Sequence, residues 1–573
     1  MSLTFVGGLA LESKRKNIVL PVEEASLPAS VTLRLEHGCR PIASEGATVS
    51  EGSVLAENED GFRILSPLCG TVSFDTAENT VSILSNRKKG FEATFEAIEA
   101  PVASLSFEDI SERLKKAGIT GAYSGIPVYR KLERAKGKAK RIIINCLESD
   151  PYSSHVSRLI SDFAEEIING AKILMHALCV KRSVIAVEEN RSESIDALKE
   201  AVTDKALITT ALIKPKYPAG NELLAINAIY GREVRSGRTP EESGYLVLSA
   251  ETLINIFRAF AYGLPPLKKI LTVTGDALGR KKLLSVRFGT SVDEILANCD
   301  AFAADCGAII SGGIMRGHTV ARDDFTDAST NVIIALSKAP QALDGECIRC
   351  GRCVNVCPMH LAPLKLVSLS KSRQFDECRT IGLDACIECG CCAYICLGKV
   401  DILKYIRRAK SGQPADDGPT DGEKLKTAAE TKRVEKEEKH SSRPAFPKGR
   451  KTDVPVREDE AETDTASGIR RIKTRRTDME EIFAEPEENA KDLSSRDIQD
   501  PVKLFYEEFA SYGKGPADKA QKAEEALPDA AADHPEHNEA SADGSAGFEA
   551  GEGSAEKAPV SSEPEKENGE SLK

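Results

Sequence analysis

Two short cysteine runs constrain this chain more than any other feature in it. Residues 347–358 read CIRCGRCVNVCP, and residues 386–396 read CIECGCCAYIC. The gaps of two, two and three that separate Cys347, Cys350, Cys353 and Cys357 return in Cys386, Cys389, Cys392 and Cys396. A two-two run lets one tight loop put three thiolates on three irons of a single cubane, while the fourth cysteine leads away and ligates the neighbouring cluster. This rule predicts one [4Fe–4S] cluster on Cys347, Cys350, Cys353 and Cys396, and a second on Cys357, Cys386, Cys389 and Cys392. Structural zinc is the competing chemistry, but a zinc ion takes two cysteine pairs, which suits two triplets with a displaced fourth ligand badly. Pro358 follows the first run and Leu397 the second, so only the first has the proline that helps the chain turn away. Cys378 and Cys391 are off the register and read as spare thiols near the clusters.

The remaining bulk features narrow the class. The 573 residues carry a formal net charge of −12, which argues against a general nucleic-acid binder. The basic run 470–476 (RRIKTRR) lies between acidic segments and reads as a solvated charge block. The longest apolar stretches, such as 173–187, are broken by Lys181 and Arg182, so no transmembrane helix is expected. The N-terminal residues lack the basic-then-apolar order of a secretory signal, which predicts a cytoplasmic chain with reduced thiols. Clustered cysteines then mean metal or redox chemistry. The histidines, among them His37, His155, His318 and His360, show no metal-ligand spacing with one another.

The pattern along the chain predicts a multidomain α/β and α+β protein. Residues 1–105 form an N-terminal module in which short β-rich runs alternate with glycine turns, as in a small folded-over β barrel of the barrel-sandwich type. Its tip reads Asn58-Glu59-Asp60-Gly61 with no lysine, so a structural module is expected rather than a swinging-arm carrier. Residues 106–265 alternate helix signals (106–117 and 153–178) with buried-strand signals (140–145 and 183–187), which predicts an α/β domain with a parallel sheet. Ligands bind such sheets beyond the carboxyl ends of the strands, which singles out loops 118–132 and 145–152. Residues 266–340 read as a β-grasp-like module, in which 268–300 runs strand, turn, strand, helix. Residues 341–410 are the α-helical ferredoxin-type domain, and 411–573 are charged and poor in large apolar residues, hence disordered. Within that tail, 500–513 carries Val502, Phe505, Phe509 and Tyr512 near one helical face and reads either as a transient partner-binding helix or as a solvated fragment.

This order of domains resembles the C subunit of the ion-translocating Rnf electron transport complex, over roughly residues 4–408. The motifs that carry the resemblance are FVGGLALESKR (5–15), NCLESDPY (145–152), KYPAGNELLAINAIYGREV (216–234), LTVTGDAL (271–278), CIRCGRCVNVCPMHLAPLKL (347–366) and CIECGCC (386–392). The α/β and β-grasp parts also resemble the flavin-bearing, NADH-oxidising subunit of respiratory complex I. The resemblance implies a peripheral subunit on the cytoplasmic face of the inner membrane. Its implied partners are the membrane subunits of an Rnf-type complex and that complex's ferredoxin-like subunit. It further implies two [4Fe–4S] clusters, an FMN and a site for NAD(H), with electron flow between NAD(H) and ferredoxin coupled to ion translocation.

The chain departs from the family in its flavin loop. A loop near G-x-G-G-A-G-F-P-T is replaced by Gly121-Ala122-Tyr123-Ser124-Gly125-Ile126-Pro127-Val128, so a bulky Tyr123 stands where glycine lets a flavin approach. The following motif keeps Asn145, Glu148, Pro151 and Tyr152, with Asp150 as a shortened carboxylate; Lys131 matches the basic residue after the loop, and Glu188 and Glu189 match an acidic pair. In one reading FMN and NADH bind through Gly121, Gly125, Asn145, Glu148, Asp150, Glu188 and Glu189, with Lys131 offsetting phosphate charge. In the other the pocket is degenerate, and the chain is an Fe–S relay or scaffold. No catalytic acid, base or nucleophile stands out, so the chemistry belongs to cofactors.

Overall fold

A computed structural model describes residues 2–412 apart from 12–19, 89, 94, 99–101, 204, 301–305, 341–342 and 344. The expected disordered tail, with its basic run and its 500–513 helix, lies outside the described residues.

The first residues do not belong to the small sheets that follow them. Leu3 bridges Ile213 and Leu9 bridges Tyr217, while strand β1 (Val22–Glu24) pairs in parallel with Lys282–Arg287 far along the chain. Residues 3–9 and 22–25 of the predicted 1–105 module therefore pair with other parts of the molecule, where they extend the edges of two larger sheets.

Two antiparallel sheets come next. β2 (Ser30–Arg34), β3 (Arg40–Pro41), β4 (Thr48–Val49), β5 (Val54–Glu57), β6 (Arg63–Leu65), β7 (Gly70–Asp75) and β8 (Thr80–Ser85) form a four-stranded sheet of order β2-β8-β7-β4 and a three-stranded one of order β3-β5-β6. Alternation in β7 sends Val72 inward and Thr71 and Ser73 outward, the period of a half-buried strand. The 58–61 tip is an Asx turn, in which Asn58 Oδ1 accepts from the backbone N–H groups of Asp60 and Phe62. It is docked rather than free, because the Tyr129 hydroxyl donates to Asp60 at 2.6 Å.

Helix α1 (Phe107–Lys116) starts at Ser106, which forms a capping box with Asp109, and α2 (Val128–Ala135) follows. The parallel sheet is built from β9 (Arg141–Cys146), β10 (Ser183–Glu188), β11 (Ile208–Ile213) and β12 (Tyr245–Ser249), in the order β11-β10-β9-β12. The crossovers are α3 (His155–Ala177), α4 (Ser192–Ala201), α5 (Glu222–Tyr230) and, after β12, α6 (Ala250–Ala261). Ile142, Ile143 and Ile144 of β9 are all buried, as a central strand covered on both faces requires. One continuous core runs from Val31, Leu55 and Val81 through Leu114 and Leu132 to Ile144 and Leu253. The small sheets and the α/β unit thus share an interior instead of standing as separate modules.

A mixed six-stranded sheet follows, from β13 (Lys268–Thr274), β14 (Lys282–Arg287), β15 (Ala308–Ser311), β16 (His318–Thr319) and β17 (Val332–Leu336), with α7 (Val292–Ala297) after β14. Its order is β1-β14-β13-β17-β15-β16. Short helices finish the described chain: α8 (Arg352–Val356), α9 (Pro363–Lys371), α10 (Phe375–Thr380), α11 (Cys391–Tyr394) and α12 (Ile402–Ser411). A buried ion pair ties β14 to the small sheets: the Arg287 guanidinium donates to Glu51 at 2.7 Å and to the Pro67 carbonyl at 2.9 Å. With both side chains under 10% exposed, removing one partner strands the other's charge. Arg287→Ala is therefore expected to cost about 3–5 kcal/mol, read as a lower urea midpoint, and the paired change Arg287→Met with Glu51→Gln to recover much of it.

Candidate functional site

The two cysteine runs fold alike. Arg349 (φ 56°) and Gly351 (φ 73°) in the first correspond to Glu388 (φ 51°) and Gly390 (φ 78°) in the second, and each pair of left-handed residues curls the loop into a short helix, α8 or α11. Gly390 is required on steric grounds as well, since a Cβ there would collide with the Met315 carbonyl oxygen. Successive left-handed turns aim backbone N–H groups at the sulfurs. Arg349 N donates to Cys347 Sγ at 3.4 Å and Val400 N to Cys396 Sγ at 3.5 Å, and the Leu361 and Met359 amides point to Cys357.

Two cavities separate the thiols into the sets expected from spacing. Cys347, Cys350, Cys353 and Cys396 line one, together with Leu364, Val367 and Ile402. Cys357, Cys386, Cys389 and Cys392 line the other, together with Leu361, Leu366 and Ile406. Cys391 also lines the second cavity and is fully buried, whereas Cys378 lines neither and its thiol faces the Leu366 carbonyl at 3.7 Å. Burial pushes the Cys357, Cys386 and Cys392 thiols up, while a hydrogen bond from Cys391 pulls Cys389 down; a bound metal would favour their thiolate forms.

The cavities differ in surroundings. Cys347 and Cys350 are exposed, while Cys389 and Cys392 are buried. We call the first set outer and the second inner. The inner set abuts the α/β unit: the fully buried Tyr217 donates its hydroxyl to the Cys389 carbonyl at 2.7 Å, and Leu9, Tyr217, Val356 and Cys389 share one apolar cluster.

Near the carboxyl ends of β9 and β12 the loop 121–125 is clamped from two sides. Ala122 N donates to Thr252 Oγ1 at 3.1 Å, and the Ala122 carbonyl accepts from Lys269 Nζ and Asn331 Nδ2, each at 3.1 Å. The loop closes on itself, with Gly125 N donating to the Gly121 carbonyl at 2.8 Å, and Gly125 (φ 64°) faces open space. Tyr123 lies against segment 145–152: its hydroxyl is hydrogen-bonded to Ser149, with Glu148 and Cys146 alongside and the His155 ring centred 6.4 Å away.

Apart from Glu189, the polar residues predicted there are buried and internally engaged. Asn145 Nδ2 donates to the Gly220 carbonyl at 2.8 Å. Glu148 accepts from the Ser153 hydroxyl and from the backbone and hydroxyl of Ser157, so it holds the N-terminal turn of α3. Asp150 accepts from Tyr152 N and packs on Gly313, where any Cβ would run into its carboxylate. Glu188 is paired with Arg191 at 3.1 Å, and Glu189 is exposed. Lys131 requires a correction. Its ammonium does not face a phosphate-sized opening; it is buried between Glu222 and Glu241 and donates to the Val247 carbonyl at 3.1 Å. Sequence reasoning did not single out Thr252, Lys269, Asn331 or Tyr217, whose contacts with Ala122 and Cys389 span more than 100 residues and leave no local pattern.

His155 supplies a pH-dependent test of this region. Its Nδ1 meets the Ser153 hydroxyl at 3.0 Å, and burial holds its pKa below the usual value, against the opposing pull of Glu148 and Glu251. The unfolded chain takes up a proton below pH ~6.5 that the folded state resists, so this stability is present at neutral pH and is lost as pH falls. Urea midpoints are expected to drop between neutral pH and about pH 5, and His155→Gln to show a smaller drop over the same range.

Known proteins share both halves of this arrangement. Residues 114–258 match the Nuo51 FMN-binding domain, and residues 340–397 match the 4Fe-4S dicluster domain. The C subunit of the Na(+)-translocating ferredoxin:NAD(+) oxidoreductase complex of Acetobacterium woodii is 31% identical over 400 residues, which span 66% of this chain and 89% of that protein. The C subunit of the proton-translocating ferredoxin:NAD(+) oxidoreductase complex of Clostridium ljungdahlii is 30% identical over 404 residues, or 66% and 87% of the two chains. The C subunit of the ion-translocating oxidoreductase complex of Vibrio cholerae is 29% identical over 402 residues; 66% of this chain is covered but only 52% of that longer protein.

Proposed function

This chain belongs to the C-subunit family of ion-translocating, Rnf-type oxidoreductase complexes, and on that premise we propose that it is the peripheral electron-transfer subunit of such a complex. In this reading it works between NAD(H) and ferredoxin, on the cytoplasmic face of the inner membrane, held there by membrane subunits. Among the described residues no helix is long and apolar enough to cross a membrane, which suits attachment through partners. The two small antiparallel sheets are read as a barrel-sandwich module and the mixed sheet with α7 as a β-grasp module.

The observation that carries the proposal is the exchange of fourth cysteines between two cavities, one against the α/β unit and one at the surface. Four thiols around an apolar cavity fit a [4Fe–4S] cluster, with Cys347, Cys350, Cys353 and Cys396 holding the outer and Cys357, Cys386, Cys389 and Cys392 the inner. Such clusters supply one-electron transfer at potentials set by burial and by hydrogen bonds to sulfur. The chain's own residues set those terms: N–H groups of the left-handed turns stabilise the thiolates, and Leu361, Leu366 and Ile406 keep water from the inner set.

For the flavin, the fit depends on Tyr123. Gly125 leaves space, and Asn145 and Glu148 stand at the strand ends, in the domain whose family binds FMN. FMN there would take hydride from NADH and release electrons singly. Gly121 and Gly125 would offer it backbone, and Asn145 and Glu148 would face it. Tyr123 stands between the loop and segment 145–152, so it sets the affinity. The second reading, a relay with a degenerate pocket, is favoured by one observation: Asn145, Glu148 and Glu188 already have partners within the chain.

Anaerobically prepared protein is expected to hold about eight irons and eight sulfides per chain. Cys357→Ser and Cys396→Ser should each bring the iron down to about four, by removing the fourth ligand of the inner and the outer cluster respectively. Zinc in place of iron ends the reading. Tyr123→Gly is expected to tighten FMN binding about tenfold, read by quenching of flavin fluorescence, because glycine restores close backbone approach. Absence of binding in both proteins leaves the degenerate-pocket reading.

A further inference from the structure

We propose that the surface around the outer thiolate set is a docking site for an acidic electron-carrier protein. The proposal rests on the assignment of a cluster to that set, and three observations on the same face carry it.

First, the outer set is the more accessible of the two: its Cys347 and Cys350 are exposed, whereas the inner set has no exposed thiol and its Cys389 and Cys392 are buried. Electrons leaving or entering from solvent therefore do so here.

Second, large apolar side chains stand in water around those thiols. Ile348 is 63% exposed, Leu397 56%, Tyr394 47% and Val354 36%. They fall into two neighbouring pairs rather than a scatter. Gly345 N donates to the Lys399 carbonyl at 3.1 Å, and a Cβ on Gly398 would collide with the Glu346 carbonyl oxygen and lie 3.6 Å from Ile348 N. Segment 345–348 thus runs beside 396–399, which makes Ile348 and Leu397 neighbours, while Val354 on α8 and Tyr394 on α11 come from helices that pack together. Clustered exposed apolar surface of this kind marks an interaction site.

Third, the patch is framed by positive charge on a chain whose net charge is −12. Arg349, Arg352 and Lys399 are exposed and have no ion-pair partner among the described residues; Glu346 and Asp401 are the acidic side chains among the described residues of segments 345–354 and 394–401. Complementary charge steers a transient partner and fixes its orientation, and a small apolar centre then excludes water between the two redox centres. An anionic membrane would also be attracted to basic and apolar groups, but lipid would cover the exposed thiolates with a surface that carries no electrons. A protein with an acidic rim around a shallow redox centre uses every feature of the patch.

The test uses the full chain, reconstituted anaerobically, with an acidic bacterial 2[4Fe–4S] ferredoxin as the probe. One variant reverses the charges (Arg349→Glu, Arg352→Glu, Lys399→Glu) and a second removes the apolar centre (Ile348→Ser, Leu397→Ser). Arg349→Glu is structurally mild, because the matching position of the second run is already a glutamate, Glu388, in the same left-handed conformation. Wild-type binding is expected to weaken with added salt, and the charge-reversed variant to bind about tenfold more weakly with little salt dependence. The apolar variant should lose affinity while keeping the salt dependence. Iron content and the EPR spectrum of the reduced protein are read on every variant: if they are lost in the wild type, the cluster assignment fails, whereas if they are intact the binding data judge the docking site alone. Wild-type affinity in both variants overturns the proposal. So does a charge-reversed variant that keeps ferredoxin binding but no longer sediments with anionic phosphatidylglycerol vesicles.

Discussion

The exchange of one thiolate between two cysteine runs is the constraint on which the rest depends. Cys357 belongs to the first run but faces the inner cavity, and Cys396 belongs to the second but faces the outer one. Neither run lines a four-cysteine cavity by itself, so the two fold face to face, and the segment between them leaves and returns. α9 and α10 make that excursion and close against α12 over an apolar centre of Leu366, Val367, Leu383, Ile402 and Ile406. That centre positions the ligands and also keeps a low-dielectric shell around the inner sulfurs, which tunes a cluster's potential.

The small helical domain is fastened to the larger body by contacts that also define a route. Tyr217 reaches from the loop before α5 to the backbone of Cys389, and Gly8 N donates to the Val356 carbonyl at the end of α8. The loop holding Tyr217 continues to Gly220, whose carbonyl accepts from Asn145 at the end of β9. The end of the parallel sheet and the inner thiolate set are therefore joined by a short sequence of buried bonds, with the outer set beyond it at the surface. On the other side, Lys269 and Asn331 hold the Ala122 carbonyl, so the mixed sheet fixes the loop that carries Tyr123. Burial holds the pKa of Lys269 below its usual value, and Glu251 at 3.8 Å works against that fall.

Much of this was legible in the sequence wherever the signal is local. Spacing alone sorted the eight ligand candidates into the two sets that line the two cavities. The run KRIIIN became β9, and the helix signal beginning at Ser106 became α1, with that serine as its cap. What was not legible depends on partners distant in sequence. Lys131 read as a basic residue offered to phosphate, yet its carboxylates are Glu222 and Glu241, and nothing near position 131 announces them. Val22–Glu24 read as part of the first module, but its hydrogen-bonding edge is completed by β14. Tyr123 was legible as bulk in a glycine position; that it rests on Ser149 beside Glu148 required the folded loop.

EPR spectroscopy of the fully reduced protein tests the central claim most directly. Two cubane clusters held by these interleaved cysteine sets would lie close enough for their spins to interact, so a broadened, split spectrum is expected, collapsing to a simple single-cluster signal when Cys357 is replaced by serine. A simple spectrum in the unaltered chain, or none at all after strong reduction, would contradict it.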